Sequence, residues 1–98
     1  MHITDINITG VIGSGTMGRG IAICSASAGC KTILYDINSE ILEKAKTQIE
    51  KDLNKSAEKK KITIEKRDDI ISKIIFTSEF DDLKTSDFII EAAPEDIE

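Results

Sequence analysis

Ninety-eight residues, 40% of them hydrophobic, bound a single small domain, and no apolar tract is long enough to span a membrane. A net charge of −5 argues against general nucleic-acid binding, which calls for a dominant basic face. Met1 to Asp5 lacks the basic start and long apolar core of a signal peptide, so a cytoplasmic or equivalent reducing compartment is expected.

Asn7 to Ile12 reads as the first strand, with β-branched bulk from Ile8, Val11 and Ile12 and a point of close approach at Gly10. Gly13, Ser14, Gly15, Thr16, Met17 and Gly18 follow as G-x-G-x-x-G, the spacing of a dinucleotide loop between a strand and a helix. Gly13 would permit the tight turn, Gly15 would let a pyrophosphate approach the backbone, and Gly18 would let the helix lie close to the sheet. That helix runs from about Thr16 to Ala28. Its small residues Gly20, Ala22, Ser25, Ala26 and Ala28 would allow close docking, and Gly29 would stop it with a left-handed cap. Its unpaired first-turn N–H groups favour an anion without a cationic side chain, so Arg19 is expected to be a solvated surface residue. Cys24 and Cys30 lack metal-ligand spacing and read as small packing residues in a reducing compartment; His2, in the terminus, is given no catalytic or metal role.

Thr32 to Tyr35 is the second strand, which places Asp36 at its C-terminal edge, twenty-three positions after Gly13. A carboxylate there could accept both ribose hydroxyls of the adenosine and would repel a 2′-phosphate, so the expected cofactor is NAD rather than NADP. Asn38 and Ser39 are better placed to cap the next helix, which would leave Asp36 free. This long helix, about Ser39 to Lys59, carries Ile41, Leu42, Ala45, Ile49, Leu53 and Ala57 on one face. Thr63 would cap a shorter helix to about Ser72. Between Lys44 and Arg67 basic residues outnumber acidic ones nine to four, which suggests an anionic partner for this helix pair. Ile74 to Thr77 reads as the third strand, Phe80 to Thr85 as a short helical turn, and Asp87 to Glu91 as the fourth strand, with Phe88, Ile89 and Ile90 its buried run. The expected fold is therefore α/β: an incomplete, Rossmann-type, doubly wound parallel sheet of about four strands, with a helical hairpin over about 39–72 protruding between strands two and three.

Gly10–Ala22, Leu34–Ile37, the helix pair with its lysine run, and Phe88–Glu95 together resemble the N-terminal NAD-binding domain of the 3-hydroxyacyl-CoA dehydrogenases, including bacterial 3-hydroxybutyryl-CoA dehydrogenases of fatty acid β-oxidation. The resemblance covers nearly the whole chain. It implies NAD-dependent interconversion of an L-3-hydroxyacyl-CoA and its 3-ketoacyl-CoA. It also implies that residues 1–98 are the first part of the NAD-binding domain, and that a C-terminal substrate and homodimerisation domain, with the catalytic histidine, lies beyond them. The 98 residues alone would then be inactive. By the same resemblance Ala92, Ala93 and Glu95 lie against NAD, and Lys59 contacts the CoA part of the substrate. The family's serine near that lysine falls on Asp52, a departure, since a carboxylate would repel the phosphates of CoA. Two other readings share the nucleotide fold: a related dehydrogenase of a sugar acid or keto acid, and a non-catalytic nucleotide-binding or interaction module.

Overall fold

A computed structural model describes residues 7–92. Along the chain come β1 (Ile8–Ile12), α1 (Thr16–Ser27), β2 (Lys31–Tyr35), α2 (Ser39–Glu58), α3 (Ile64–Lys73), β3 (Ile74–Thr77), a 3-10 segment (Phe80–Thr85) and β4 (Phe88–Glu91). The four strands form one sheet in the order β3-β2-β1-β4, and every neighbouring pair is parallel. Because the chain winds outward from β1 to β3 and then returns to the far side of β1, the strand order reverses between β1 and β4. A ligand crevice opens at such a reversal, beyond the C-terminal ends of the strands. The register sets Ile12 of β1 beside both Tyr35 of β2 and Glu91 of β4, so those ends form a common rim.

One sheet face carries the main core. Val11, Leu34 and Ile74 from the strands meet Ala22 and Ala26 of α1, Leu42, Ile49 and Leu53 of α2, and Ile70 of α3. Each large aliphatic side chain buried here contributes on the order of 1.5–3 kcal/mol. The α1 stripe that docks is Gly18, Ala22 and Ala26, four residues apart, while Gly20 and Ala28, expected to dock with them, face solvent. Cys24 is likewise exposed rather than packed.

Helix α2 sends a stripe into this core and α3 sends Ile70, with Ile71 partly buried beside it, which anchors the pair between β2 and β3. Lys66 adds a tie at the base, its Nζ donating to the Ser27 carbonyl at 2.7 Å, where the negative end of α1 favours a cation. Arg67 pairs with Asp68 and donates to Asn54. Part of the basic segment thus serves the fold, and among the described residues Lys59, Lys60 and Lys61 form no ion pair.

Helix α2 ends with Lys60 at φ +60°, the left-handed conformation usually given to glycine, and the Lys61 N–H closes the turn on the Ser56 carbonyl. Lys60→Gly is expected to stabilise the protein by about 0.5–1 kcal/mol, the strain relieved less the entropy a glycine loses on folding. Urea denaturation would show it, and an unchanged or lower midpoint would mean that the lysine side chain holds that turn.

The other face of the sheet is thinly covered. Ile33 and Tyr35 meet Leu83 of the 3-10 segment, with Ile8 and Ile12 alongside. Leu83 can lie there because Gly10 has no side chain: a Cβ would come within 2.9 Å of its Cδ2. Phe80 sets its ring edge-on to Tyr35, centroids 5.4 Å apart. The expected burial of β4 is not observed, since Phe88 and Ile89 are 49% and 47% exposed. The physical reason is position: β4 is the outermost described strand, paired only on its β1 side. At its start the Asp87 carboxylate accepts the N–H groups of Asn7 and Ile8 at 2.9 and 3.0 Å, joining the two ends of the described chain.

Candidate functional site

Gly13 leaves β1 with φ +104°, a conformation that a side chain strains, and its N–H still reaches the Tyr35 carbonyl at 2.8 Å. The loop therefore starts as an extension of the sheet and turns at once into α1. Gly18 stands where a Cβ would collide with the Gly13 carbonyl oxygen. The close approach expected of Gly18 is thus to the turn itself as well as to the sheet. At Gly15 the opposite holds, as among the described residues nothing beyond its own stretch of chain lies within 4 Å of the position a Cβ would take.

The three α-helices differ at their N-termini. Asn38 caps α2 by accepting the N–H groups of Glu40 and Ile41, and Thr63 caps α3 by accepting that of Lys66. Helix α1 has Gly15 in that place, with no side-chain cap and no acidic residue in its first turn. Its leading N–H groups, with Thr16 and the exposed Met17, face outward beside the open space at Gly15. That combination suits a pyrophosphate. Arg19 donates weakly to the Thr16 hydroxyl at 3.5 Å, in keeping with a surface role.

Asp36 follows β2, its N–H donating to the Thr77 carbonyl of β3 at 3.2 Å. The expectation that its carboxylate is free needs correction. Oδ2 accepts the Ser14 N–H at 2.9 Å and the Ser14 hydroxyl at 2.7 Å, and Oδ1 accepts the Asn38 N–H at 3.0 Å. Burial pushes the carboxyl up, but the donors at Asn38 and Ser14 outweigh it and hold the group below the usual carboxylate range. A carboxylate offers about four acceptor directions, so roughly one is left, on Oδ1. The capping duty falls to Asn38 as expected, while Ser39 is the first helical residue.

Beside the loop lies a cavity of about 530 Å³, walled by Gly13, Ser14, Gly15 and Asp36 together with Ile12, Tyr35, Ile37, Asn38 and Ile41. Ile37 and Ile41 were not apparent from sequence as site residues. Ile41 belongs by spacing to the apolar face of α2, yet it is half-exposed and turned to the cavity, and Ile37 is 81% exposed. An aromatic base fits such an apolar wall next to a carboxylate. The signal that could have found them is the pair of isoleucines within five residues of Asp36.

Not every expected residue gathers here. Ala92 is buried in the main core, its N–H donating to the Ile12 carbonyl at 2.7 Å, so it borders the rim through its backbone. Ala93 and Glu95 lie outside the described residues, as do His2 and Pro94. Asp52 on α2 and Lys59 just after it are both exposed. Asp52 accepts the Gln48 amide at 2.9 Å, and Lys59 follows the last turn, roughly 30 Å along the axis from the capped end that borders the cavity. Among the described residues there is no cluster of metal ligands, and no helix is long and apolar enough to cross a membrane.

Residues 8–98 match the family described as 3-hydroxyacyl-CoA dehydrogenase, NAD binding domain. The chain is 38% identical over 94 residues to a 3-hydroxyadipyl-CoA dehydrogenase of Escherichia coli K12, covering 96% of this chain and 20% of that protein. It is 37% identical over 90 residues to a 3-hydroxybutyryl-CoA dehydrogenase of Bradyrhizobium diazoefficiens, covering 92% and 31%. Among solved structures, the (S)-3-hydroxybutyryl-CoA dehydrogenase of Ralstonia eutropha superposes with a TM-score of 0.87 at 33% identity, over 94% of this chain and 32% of that one. The chain thus spans about a fifth to a third of the length of these relatives.

Proposed function

Since the chain belongs to the 3-hydroxyacyl-CoA dehydrogenase family, as its NAD binding domain, we propose that it is the cofactor-binding part of an oxidoreductase that interconverts an L-3-hydroxyacyl-CoA and the 3-ketoacyl-CoA. The observation that carries the site is the uncapped start of α1, open at Gly15, with the anchored Asp36 beside the loop on the same cavity. In this reading the first-turn N–H groups at Thr16, Met17 and Gly18 hold the pyrophosphate, and Ile37 and Ile41 cover the adenine. Asp36 takes a ribose hydroxyl on its remaining acceptor direction and excludes a 2′-phosphate. Ala92 and the adjoining Ala93 and Glu95 would continue the cofactor site beyond β4. When bound, NAD supplies the hydride acceptor. By the family resemblance, the base that takes the hydroxyl proton is a histidine outside these residues.

Lys59 belongs to the same proposal as a contact for the phosphates of CoA, supported by its exposure and by the lack of an ion pair among the described residues. Homodimerisation through a domain outside these residues rests on the family resemblance, and a cytoplasmic location on the sequence reading given above. The names of the relatives favour an acyl-CoA substrate over a sugar acid or keto acid.

The test is an NADH-absorbance assay on the protein as its gene encodes it, with 3-hydroxybutyryl-CoA and NAD. Turnover is expected. Tight NAD binding with no turnover of short or long 3-hydroxyacyl-CoA substrates would leave only the nucleotide-binding module. In the same assay Lys59→Ala is expected to raise KM for the acyl-CoA about three- to tenfold with NAD affinity unchanged, the loss of one partly exposed ionic contact. An unaltered KM would remove Lys59 from the substrate site.

A further inference from the structure

Ser14 occupies the variable position between the first two glycines of the loop, where the spacing rule asks for no particular side chain. In the structure it is one of the most deeply buried polar residues, 1% exposed, and both of its donors go to a single oxygen. The backbone N–H and the hydroxyl reach Asp36 Oδ2 at 2.9 and 2.7 Å. Such charge-assisted bonds are short and strong, and burial of the hydroxyl removes the water that would compete for it. The Asn38 N–H meets the other oxygen at 3.0 Å, from the residue that also caps α2. Three donors from two different turns therefore fix the plane of the carboxylate.

We propose that Ser14 is a positioning residue for cofactor choice: it clamps Oδ2 so that Asp36 stands as a rigid, one-sided acceptor for a ribose hydroxyl, with its charge held where a 2′-phosphate would have to sit. The inference rests on the reading of Asp36 as the ribose acid. Discrimination needs the charge to be both present and immobile, because a carboxylate free to rotate away relieves the repulsion that rejects the phosphate. Among the described residues no lysine or arginine lines the cavity to offset that charge. The titratable groups on the elements packed around Asp36 are Tyr35 beside it, Glu40 in the first turn of α2, Arg19 in the first turn of α1, and Glu79 and Asp82 after β3, where Asp82 is bonded to the Thr77 hydroxyl. Ser14→Ala removes one oxygen, keeps the backbone bond, and leaves all of these in place.

Calorimetric titration of NAD and NADP into the protein as its gene encodes it, with the Ser14→Ala, Asp36→Ala and doubly substituted forms, tests this. Ser14→Ala is expected to weaken NAD about three- to tenfold and to narrow the preference over NADP, the loss of one hydrogen bond to a charged group. In the Asp36→Ala background the same substitution should change NAD affinity by less than about twofold, because a residue acting through Asp36 has nothing left to position. Carboxyl carbon NMR of the unliganded protein gives a readout that a packing role would not move: the Asp36 titration is expected below the usual carboxylate range and is expected to rise in Ser14→Ala. Equal losses from Ser14→Ala with and without Asp36, or an Asp36 titration in the usual range in the unsubstituted protein, would overturn the role of Ser14. If Asp36→Ala leaves NAD affinity intact, the ribose reading fails first and this inference falls with it.

Discussion

Gly18→Ala is expected to destabilise the protein by about 3 kcal/mol or more and to abolish measurable NAD binding, whereas Gly20→Ala, two residues along the same helix, is expected to stabilise it by about 0.5–1 kcal/mol. The contrast isolates the cause. A Cβ at residue 18 meets the carbonyl oxygen of Gly13, a backbone atom that cannot swing aside, while a Cβ at residue 20 meets nothing within 4 Å. At the second position only helix propensity acts, and it favours alanine. At the first, relief requires α1 to move off the turn, which pulls its leading N–H groups away from the open space at Gly15. Thermal unfolding of both variants with an NAD titration decides it. Wild-type melting and affinity in Gly18→Ala would mean that α1 does not start against Gly13 as described.

Asp36→Ala is expected to weaken NAD binding by about 1–3 kcal/mol, roughly 5- to 150-fold, with less effect on NADP. Its effect on the fold carries a pH signature. The carboxyl is held below the usual range, so its contribution to stability is fully present above the unfolded carboxyl value and is lost as pH falls through the lower folded value. The alanine variant therefore loses stability near neutral pH and shows a shallower acid limb, because one group no longer has to be protonated on unfolding in acid. Denaturant midpoints across the acid range, set beside the NAD titration, separate the two consequences. Unchanged NAD affinity in a variant that has lost the acid limb would make Asp36 a purely structural anchor.

The elements were legible because period and punctuation agree along this chain. Strands of β-branched residues alternate with stripes such as Leu42, Ala45, Ile49 and Leu53, and Gly13, Gly29 and Asn38 mark the turns where the backbone changes direction. The glycine loop and Asp36 were legible as a pair because strand order in such folds links them. What sequence alone hid is contact across the sheet. Ser14 and Asp36 are twenty-two residues apart, and only the register of Ile12 with Tyr35 brings hydroxyl to carboxylate. Apolar character likewise cannot say whether a face is covered, which is why Phe88 and Ile89 read as buried and stand exposed, and why Ile41 reads as core and lines the cavity.

The clasp at Asp87 also sets an order of events while the chain is being made. Strands β1, β2 and β3 can pair as soon as they have left the ribosome, but β1 lies in the middle of the described sheet and its second neighbour, β4, is the last of the four described strands to arrive. At 5–20 residues per second, the stretch from the end of β2 at Tyr35 to the start of β4 at Phe88 takes about three to eleven seconds to synthesise. For that interval the strand leading into the cofactor loop is an open edge, with its N–H and C=O groups unpaired on one side. The arrival of Asp87, whose carboxylate takes the N–H groups of Asn7 and Ile8, converts that edge into an interior strand, so the nascent domain is most exposed to mispairing just before its nucleotide site is framed on both sides.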